Sequence, residues 1–262
     1  MRKFVWFVLI FGLFSLVFLG NLGPETTEAA NYTEEEKILI LSQVRPSPVI
    51  AEVVADVTLR QNWQGDTAEV GKLMAGDAVE LIRDVSSRRY KVRCMETALV
   101  GFVGSEALSI PPCPQTNPHR MSAEHIEGFI NIMSFASTTN HFVWVDIDRQ
   151  LVHILEGSRG NFRLIKTLVC ATGVNTSPTS RGLFTLTDKG EWFYSQRLSS
   201  GGKYWFRFNG SYLFHSVAMD YNKNVIDGVL GKRRSSGCVR MSVEDARWFY
   251  NNIPVNTSVF VH

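Results

Sequence analysis

The chain has 262 residues, 45% hydrophobic and 20% charged, enough for two modest globular cores. Glycine (20) and proline (9) are at ordinary usage, which excludes a collagen-like or low-complexity chain. Lys+Arg 27 against Asp+Glu 25 leaves +2, so no basic excess points to nucleic acid and no acidic excess points to disorder. The N-terminus sets Arg2 and Lys3 before an apolar run from Phe4 to Leu19, the n- and h-regions of an export signal over residues 1–29. Thr27 and Ala29 suit a peptidase cut after Ala29, while the 21 uncharged residues from Phe4 to Pro24 are also long enough to anchor in a bilayer. Release and tethering both fit. Either outcome exports the rest of the chain to the extracellular side or the cell wall, because the basic flank stays inside.

Thr33-Glu34-Glu35-Glu36 has the form of a capping box leading into a helix over Lys37–Val44, stopped before Pro46 and Pro48. The period then becomes strand-like: Tyr90, Val92 and Cys94 alternate with Lys91 and Arg93. Val49–Val54, Ala78–Ile82 and Val100–Val103 are similar short runs, with Gly65, Gly71 and Gly76 between them. About five short strands in so little chain predict a small barrel. The order Val57–Arg60, Gly76–Leu81, Tyr90–Val92 and Gly101–Val103 resembles a bacterial SH3-like domain over residues 50–110. Such domains in exported proteins often hold cell-wall material; a spacer barrel without a ligand fits equally well.

Residues 111–139 read as a stiff proline-rich linker, Ile110 to Pro118, followed by a short helix. Cys94 and Cys113 flank the end of the barrel in an oxidising compartment, where a bridge would clamp the linker; two free thiols are the alternative. Ser122 caps the helix, and Ile126, Phe129, Ile130 and Met133 form its apolar face. From residue 140 to 262 strands come one after another: Phe142–Ile147, Leu151–Leu155, Leu164–Ala171, Gly182–Leu186, Tyr212–His215 and Ser258–Val261. One helix interrupts, capped by Ser242-Val243-Glu244-Asp245, with Ala246, Phe249 and Tyr250 inward and Pro254 at its end. The fold class is therefore mostly β: a small N-terminal barrel, then a sandwich-like domain with one or two short helices. His141 and His153, in or at strands with no acid nearby in sequence, read as satisfied structural histidines. Cys170 reads as a small buried hydrophobe.

The four cysteines contain no CxxC pair, which argues against a zinc site built on paired cysteines. Cys238 stands apart, in Ser235-Ser236-Gly237-Cys238-Val239-Arg240-Met241. A cysteine attacks as its thiolate, and Lys232, Arg233, Arg234 and Arg240 are placed to lower the cost of ionising it. Gly237 leaves room for a substrate carbonyl and for backbone N–H groups facing its developing charge. His215 ends an apolar strand and supplies a candidate base; the carbonyl of Ser216 is placed to hold its tautomer. These residues predict a Cys–His acyl-transfer site.

His215 followed by Ser235–Met241 resembles the signature of the L,D-transpeptidase (YkuD) catalytic domain, in which a histidine opens a loop that ends in Ser/Thr-His-Gly-Cys-hydrophobic-Arg. Cys170–Gly173, Ser177–Thr179, Gly182–Phe184 and the C-terminal helix agree with that family over about residues 140–262. The resemblance implies Cys238 as nucleophile, His215 as base, Ser216 as orienting carbonyl, and backbone N–H groups around Ser236, Gly237 and Cys238 as oxyanion hole. Ser235 and Arg240 would shape the pocket, Arg240 meeting a carboxylate or bracing the loop. Two features depart from the family: Ser236 replaces the usual histidine before glycine, and 22 residues separate His215 from Cys238, a longer and more basic loop. The implied substrates are peptidoglycan stem peptides, joined by 3→3 cross-links with release of D-alanine. A carbapenem is the implied covalent inhibitor, and neither metal nor organic cofactor is called for. Hydrolysis of the same bond, as an L,D-carboxypeptidase, and a non-catalytic cell-wall-binding protein are the competing readings.

Overall fold

The computed structural model describes residues 32–262 except Asp66 and Ser87. The expected export signal at residues 1–29 lies outside the described residues. Helix α1 (Glu34–Ser42) begins on the expected capping box: Thr33 Oγ1 accepts from the Glu36 N–H, and Glu36 accepts in return from the Thr33 N–H. Among the described residues no helix is long and apolar enough to cross a membrane.

Seven strands come next: β1 (Ile50–Val53), β2 (Val57–Arg60), β3 (Glu69–Leu73), β4 (Ala78–Asp84), β5 (Arg89–Cys94), β6 (Val100–Gly104) and β7 (Leu108–Ser109). They pair antiparallel in the order β3-β2-β6-β5-β4-β1-β7. One core collects Leu73 of β3 at one edge and Leu108 of β7 at the other, around Val53, Val79, Val92 and Val103. The sheet therefore curls round its own interior, as period-2 alternation requires of a sheet with one apolar face. Gly71 lies within β3 and does not separate strands. Cys94 is buried in this core and Cys113 is exposed on the linker; both thiols are free. The linker is held by Asn175 instead, whose Nδ2 donates to the carbonyls of Pro111 and Pro112 at 3.0 Å.

Helix α2 (Ala123–Ile132) starts at Ser122, which accepts from the His125 N–H, and buries Ile126, Phe129 and Ile130. Met133, expected in the core, is 38% exposed: the helix ends at Ile132, and Met133 is its C-cap, turned away from the packed face. A five-stranded sheet, β10-β9-β8-β18-β11, comprises β8 (His141–Asp146), β9 (Leu151–Ser158), β10 (Asn161–Val169), β11 (Gly182–Thr185) and β18 (Ser258–Val261). Strand β8 is buried on both faces: Phe142 and Trp144 pack with α1 and α2, Val143 and Val145 with the second sheet. That double burial is why His141–Asp146 reads as a nearly continuous apolar run.

The second sheet contains β12 (Lys189–Ser195), β13 (Ser200–Asn209), β14 (Tyr212–Ser216), β15 (Ala218–Met219), β16 (Val225–Asp227) and β17 (Val239–Met241), in the order β16-β15-β13-β14-β17 with β12 hung on β13. Phe206, Phe214, Val239 and Met241 from this sheet meet Val143, Val145, Val152 and Ile154 from the first, and α3 (Val243–Asn252) closes the core with Ala246 and Phe249. Strands β12 and β13 escape the sequence pattern because Gly190, Gly201, Gly202 and charged residues interrupt their alternation, and β15 and β16 because they are two and three residues long.

Cys170 is buried among these side chains, and burial drives its thiol pKa far up. His153 is only half satisfied: Nδ1 lies 3.0 Å from Thr167 Oγ1, and the buried Nε2 has no partner among the described residues. Burial, with help from Arg149 and Arg120, lowers its pKa from 6.5 to about 3. Burial likewise takes His215 to about 3 and His262 to about 4. Below pH 6.5 the unfolded chain therefore takes up protons at these histidines that the native chain refuses, so stability present above that pH is lost as pH falls. Asp146, whose pKa burial raises, works in the opposite sense. Thermal unfolding between pH 7 and pH 5 should show Tm falling steadily; a flat Tm across that interval would mean the histidines are not held neutral.

Candidate active site

Three residues of β14 run parallel to β17, with Phe214 opposite Val239, His215 opposite Arg240 and Ser216 opposite Met241. Phe214, Val239 and Met241 point into the sandwich core. Alternation then places His215 and Arg240 on the other face, and Leu213 and Cys238 one step earlier along the strands share it. The Leu213 N–H donates to Cys238 Sγ at 3.4 Å. The pairing thus brings together two side chains separated by 22 residues of chain.

The turn before Cys238 is built from its own polar groups. Ser235, fully buried, donates from Oγ to the Cys238 carbonyl and accepts from the Gly237 N–H at 3.2 Å. Gly237 has φ +101°, and a Cβ there would lie 2.5 Å from the Tyr212 ring, so both backbone and space demand glycine. On the far side the turn is laced to the segment after Cys170. The Arg234 and Ser235 N–H groups donate to the Thr172 carbonyl at 2.7 and 2.9 Å, and Ala171 and Arg240 exchange backbone hydrogen bonds at 2.8 and 2.9 Å. Thr179 Oγ1 accepts from the Gly173 N–H at 2.8 Å, which fixes that segment in turn.

His215 is held by packing. The Phe193 ring stands edge-on to it at 4.9 Å, and Gly202 passes so close that a Cβ there would lie 2.4 Å from Nδ1. Nδ1 is buried and makes no hydrogen bond of good geometry among the described residues. Burial is the main reason the ring stays neutral; the Arg240 charge adds to it, and the Ser216 backbone opposes both. The Ser216 hydroxyl is occupied elsewhere, accepting from the Lys203 N–H at 2.9 Å and donating to the Val217 carbonyl at 3.0 Å.

The cationic loop does less for the thiol than its sequence suggests. Burial raises the pKa of Cys238; the Leu213 N–H, Arg240 and Arg207 push it down without overcoming burial. Arg233 turns away, donating to Asn175 Oδ1 at 2.6 Å, and Arg234 pairs with Asp227 at 3.0 Å. Arg240 pairs with the same Asp227 oxygen at 3.1 Å. Sequence reasoning missed Asp227 because it sits in the long loop, 11 residues from Cys238, and only the β15–β16 pairing returns it to the site. A small crevice of about 10 Å³ between the N-terminal sheet and the Thr172–Arg181 segment is lined by Leu81, Thr172, Arg181 and Arg233.

Residues 140–261 match the family model of the L,D-transpeptidase catalytic domain, YkuD. YciB of Bacillus subtilis (strain 168), itself a candidate L,D-transpeptidase, is 35% identical over 130 residues, 45% of this chain and 65% of that protein. A solved Clostridium acetobutylicum ATCC 824 structure, described as a fused Zn-dependent amidase/peptidase/peptidoglycan-binding domain-containing protein, is 30% identical. It aligns over 57% of this chain and 65% of its own, with a TM-score of 0.47. An L,D-transpeptidase from Stackebrandtia nassauensis is 19% identical over 54% of this chain and 67% of its own, with a TM-score of 0.38. The chain thus spans just under two thirds of the length of YciB and of the Clostridium chain. On the family match and the similarity to YciB, residues 140–261 resemble the L,D-transpeptidase catalytic domain.

Proposed function

We propose that this chain is an exported, cysteine-dependent peptidoglycan L,D-transpeptidase that forms 3→3 cross-links. The observation that carries the reading is the parallel pairing of β14 and β17, which sets Cys238 and His215 on one face within a domain of that family. Residues 1–29 then act as signal or anchor, residues 50–110 as an SH3-like domain that holds wall material, residues 111–139 as linker and short helix, and residues 140–262 as the catalytic domain.

The resting pair is neutral: burial keeps the Cys238 thiol protonated and the His215 ring unprotonated. His215 thus begins as a general base and not as one half of an ion pair. With Nδ1 walled in by Gly202, Nε2 is the nitrogen that takes the proton. As the proton leaves, sulfur bonds to the carbonyl carbon of the L-centre in the stem tetrapeptide. The oxyanion falls to the N–H groups of Ser236 and Cys238, because Ser235 Oγ already holds that of Gly237. Collapse breaks the C–N bond, the imidazolium gives its proton to the departing D-alanine amine, and a thioester remains. The side-chain amine of a second stem attacks the thioester and passes its proton to His215; the C–S bond breaks and the thiol is restored. Ser216 lends its backbone to the ring, and Arg240, braced by Asp227, shapes the pocket wall. A strained β-lactam carbonyl offers sulfur the same tetrahedral path, which makes a carbapenem the fitting covalent inhibitor.

Mass spectrometry of the purified protein with disaccharide-tetrapeptide should detect a thioester on the Cys238 peptide, free D-alanine and cross-linked dimers. A carbapenem should add its mass once, on the same peptide. Cys238→Ala should abolish all of these, and His215→Ala should slow acylation about 10²–10⁴-fold. Shortened monomers without dimers would make the enzyme a carboxypeptidase; undiminished release from Cys238→Ala would overturn the assignment. Gly237→Ala, with the thiol intact, should lose about 10²-fold in rate because its Cβ and φ displace the turn. A rate within threefold of wild type would show that the turn tolerates the shift.

A further inference from the structure

Two sets of contacts run from the hairpin end of β4 and β5 to the segments around the Cys238 turn. In the first, Arg83 of β4 places its guanidinium over the Tyr212 ring, 5.3 Å from the centroid, and its Nη2 donates to Ser211 Oγ at 3.4 Å. The guanidinium lies beside Gly210, where a Cβ would come within 3.1 Å of Nη2. The same Tyr212 ring is the surface on which Gly237 rests, one residue from the sulfur. In the second, Tyr90 Oη donates to the Thr176 carbonyl at 2.7 Å, Ser177 Oγ to Asp84 at 3.0 Å and Ser180 Oγ to the Ile82 carbonyl at 3.2 Å. The segment so gripped packs on Gly173, where a Cβ would come within 2.2 Å of the Ser177 carbonyl oxygen. The neighbouring Thr172 carbonyl then holds the N–H groups of Arg234 and Ser235.

We propose that the hairpin end of β4 and β5 in the N-terminal domain is a positioning element of the transpeptidase site, with Arg83, acting through Tyr212, as its principal residue. The inference rests on Cys238 being the nucleophile. A nucleophile carried on a turn works only if that turn is held to a fraction of an ångström, and Gly237, beside the sulfur, rests on Tyr212 by packing. Tyr212 supplies the floor, and a cation over its ring restrains that floor from the neighbouring domain. The N-terminal domain on this account affects turnover directly, besides any part it takes in holding wall material.

The test uses the full chain as wild type, Arg83→Ala, Arg83→Met and Arg83→Lys. Amide hydrogen exchange of the peptide spanning Ser235–Met241 is measured beside kcat and KM for D-alanine release. Arg83→Ala should speed exchange in that peptide and lower kcat, each about fivefold, with KM and exchange in β8 and β9 unchanged. Arg83→Met, which keeps the volume without the charge, should behave like Arg83→Ala, whereas Arg83→Lys should regain most of the loss. Wild-type exchange and kcat in Arg83→Ala and Arg83→Met, or a change in KM alone, would overturn the proposal. A wild-type chain that forms no thioester at Cys238 would sink the functional reading, whereas a thioester-forming wild type matched by Arg83→Ala would sink this inference only.

Discussion

The parallel alignment of Phe214–Ser216 with Val239–Met241 is the constraint on which the site depends. Each strand is short, and neither would be stable alone. Both are fixed because alternate residues, Phe214, Val239 and Met241, are buried in the sandwich core against the first sheet and α3. A slip of one residue would turn these apolar side chains outward and drive His215 and Cys238 into the core. The hydrophobic energy that sets the register therefore also sets the chemistry. The polar groups at the site adjust the local turn; the core decides which side chains meet.

That dependence explains what was legible in the sequence. Tyr212–His215 announces itself by its apolar residues, and Cys238 by its neighbours Gly237 and Arg240, so a candidate nucleophile and a candidate base could be named from the residues alone. The three helix caps at Thr33, Ser122 and Ser242 were readable because a capping side chain acts within three residues. Asp227 was not readable, since a carboxylate 11 residues away becomes a partner of Arg240 only through a hairpin whose strands carry weak patterns. The contact of Arg83 with Tyr212 was invisible for the same reason at longer range. The roles of Arg233 and Arg234 were misread because charge counting along the chain takes no account of where each guanidinium points.

The two glycines nearest the chemistry serve opposite ends of it. Gly237 lets the turn lie on Tyr212, and Gly202 lets the β13 backbone close over the His215 ring. Each removes a side chain so that a neighbour can be buried. Burial of the His215 ring lowers its pKa, with the Arg240 charge adding to it, and burial of the Cys238 sulfur raises that of the thiol. On the proposed function, the site would work by proton transfer at the moment of attack, with no standing thiolate.

The most direct test of this account is the pH dependence of Cys238 alkylation by iodoacetamide in the wild-type protein, followed by the mass of its peptide. A thiol whose pKa is raised by burial should react slowly at pH 6 and faster with each step up through pH 8, with no plateau below neutrality. A fast rate that is already flat from pH 5 to pH 7 would reveal a thiolate–imidazolium pair at rest and contradict the neutral pair.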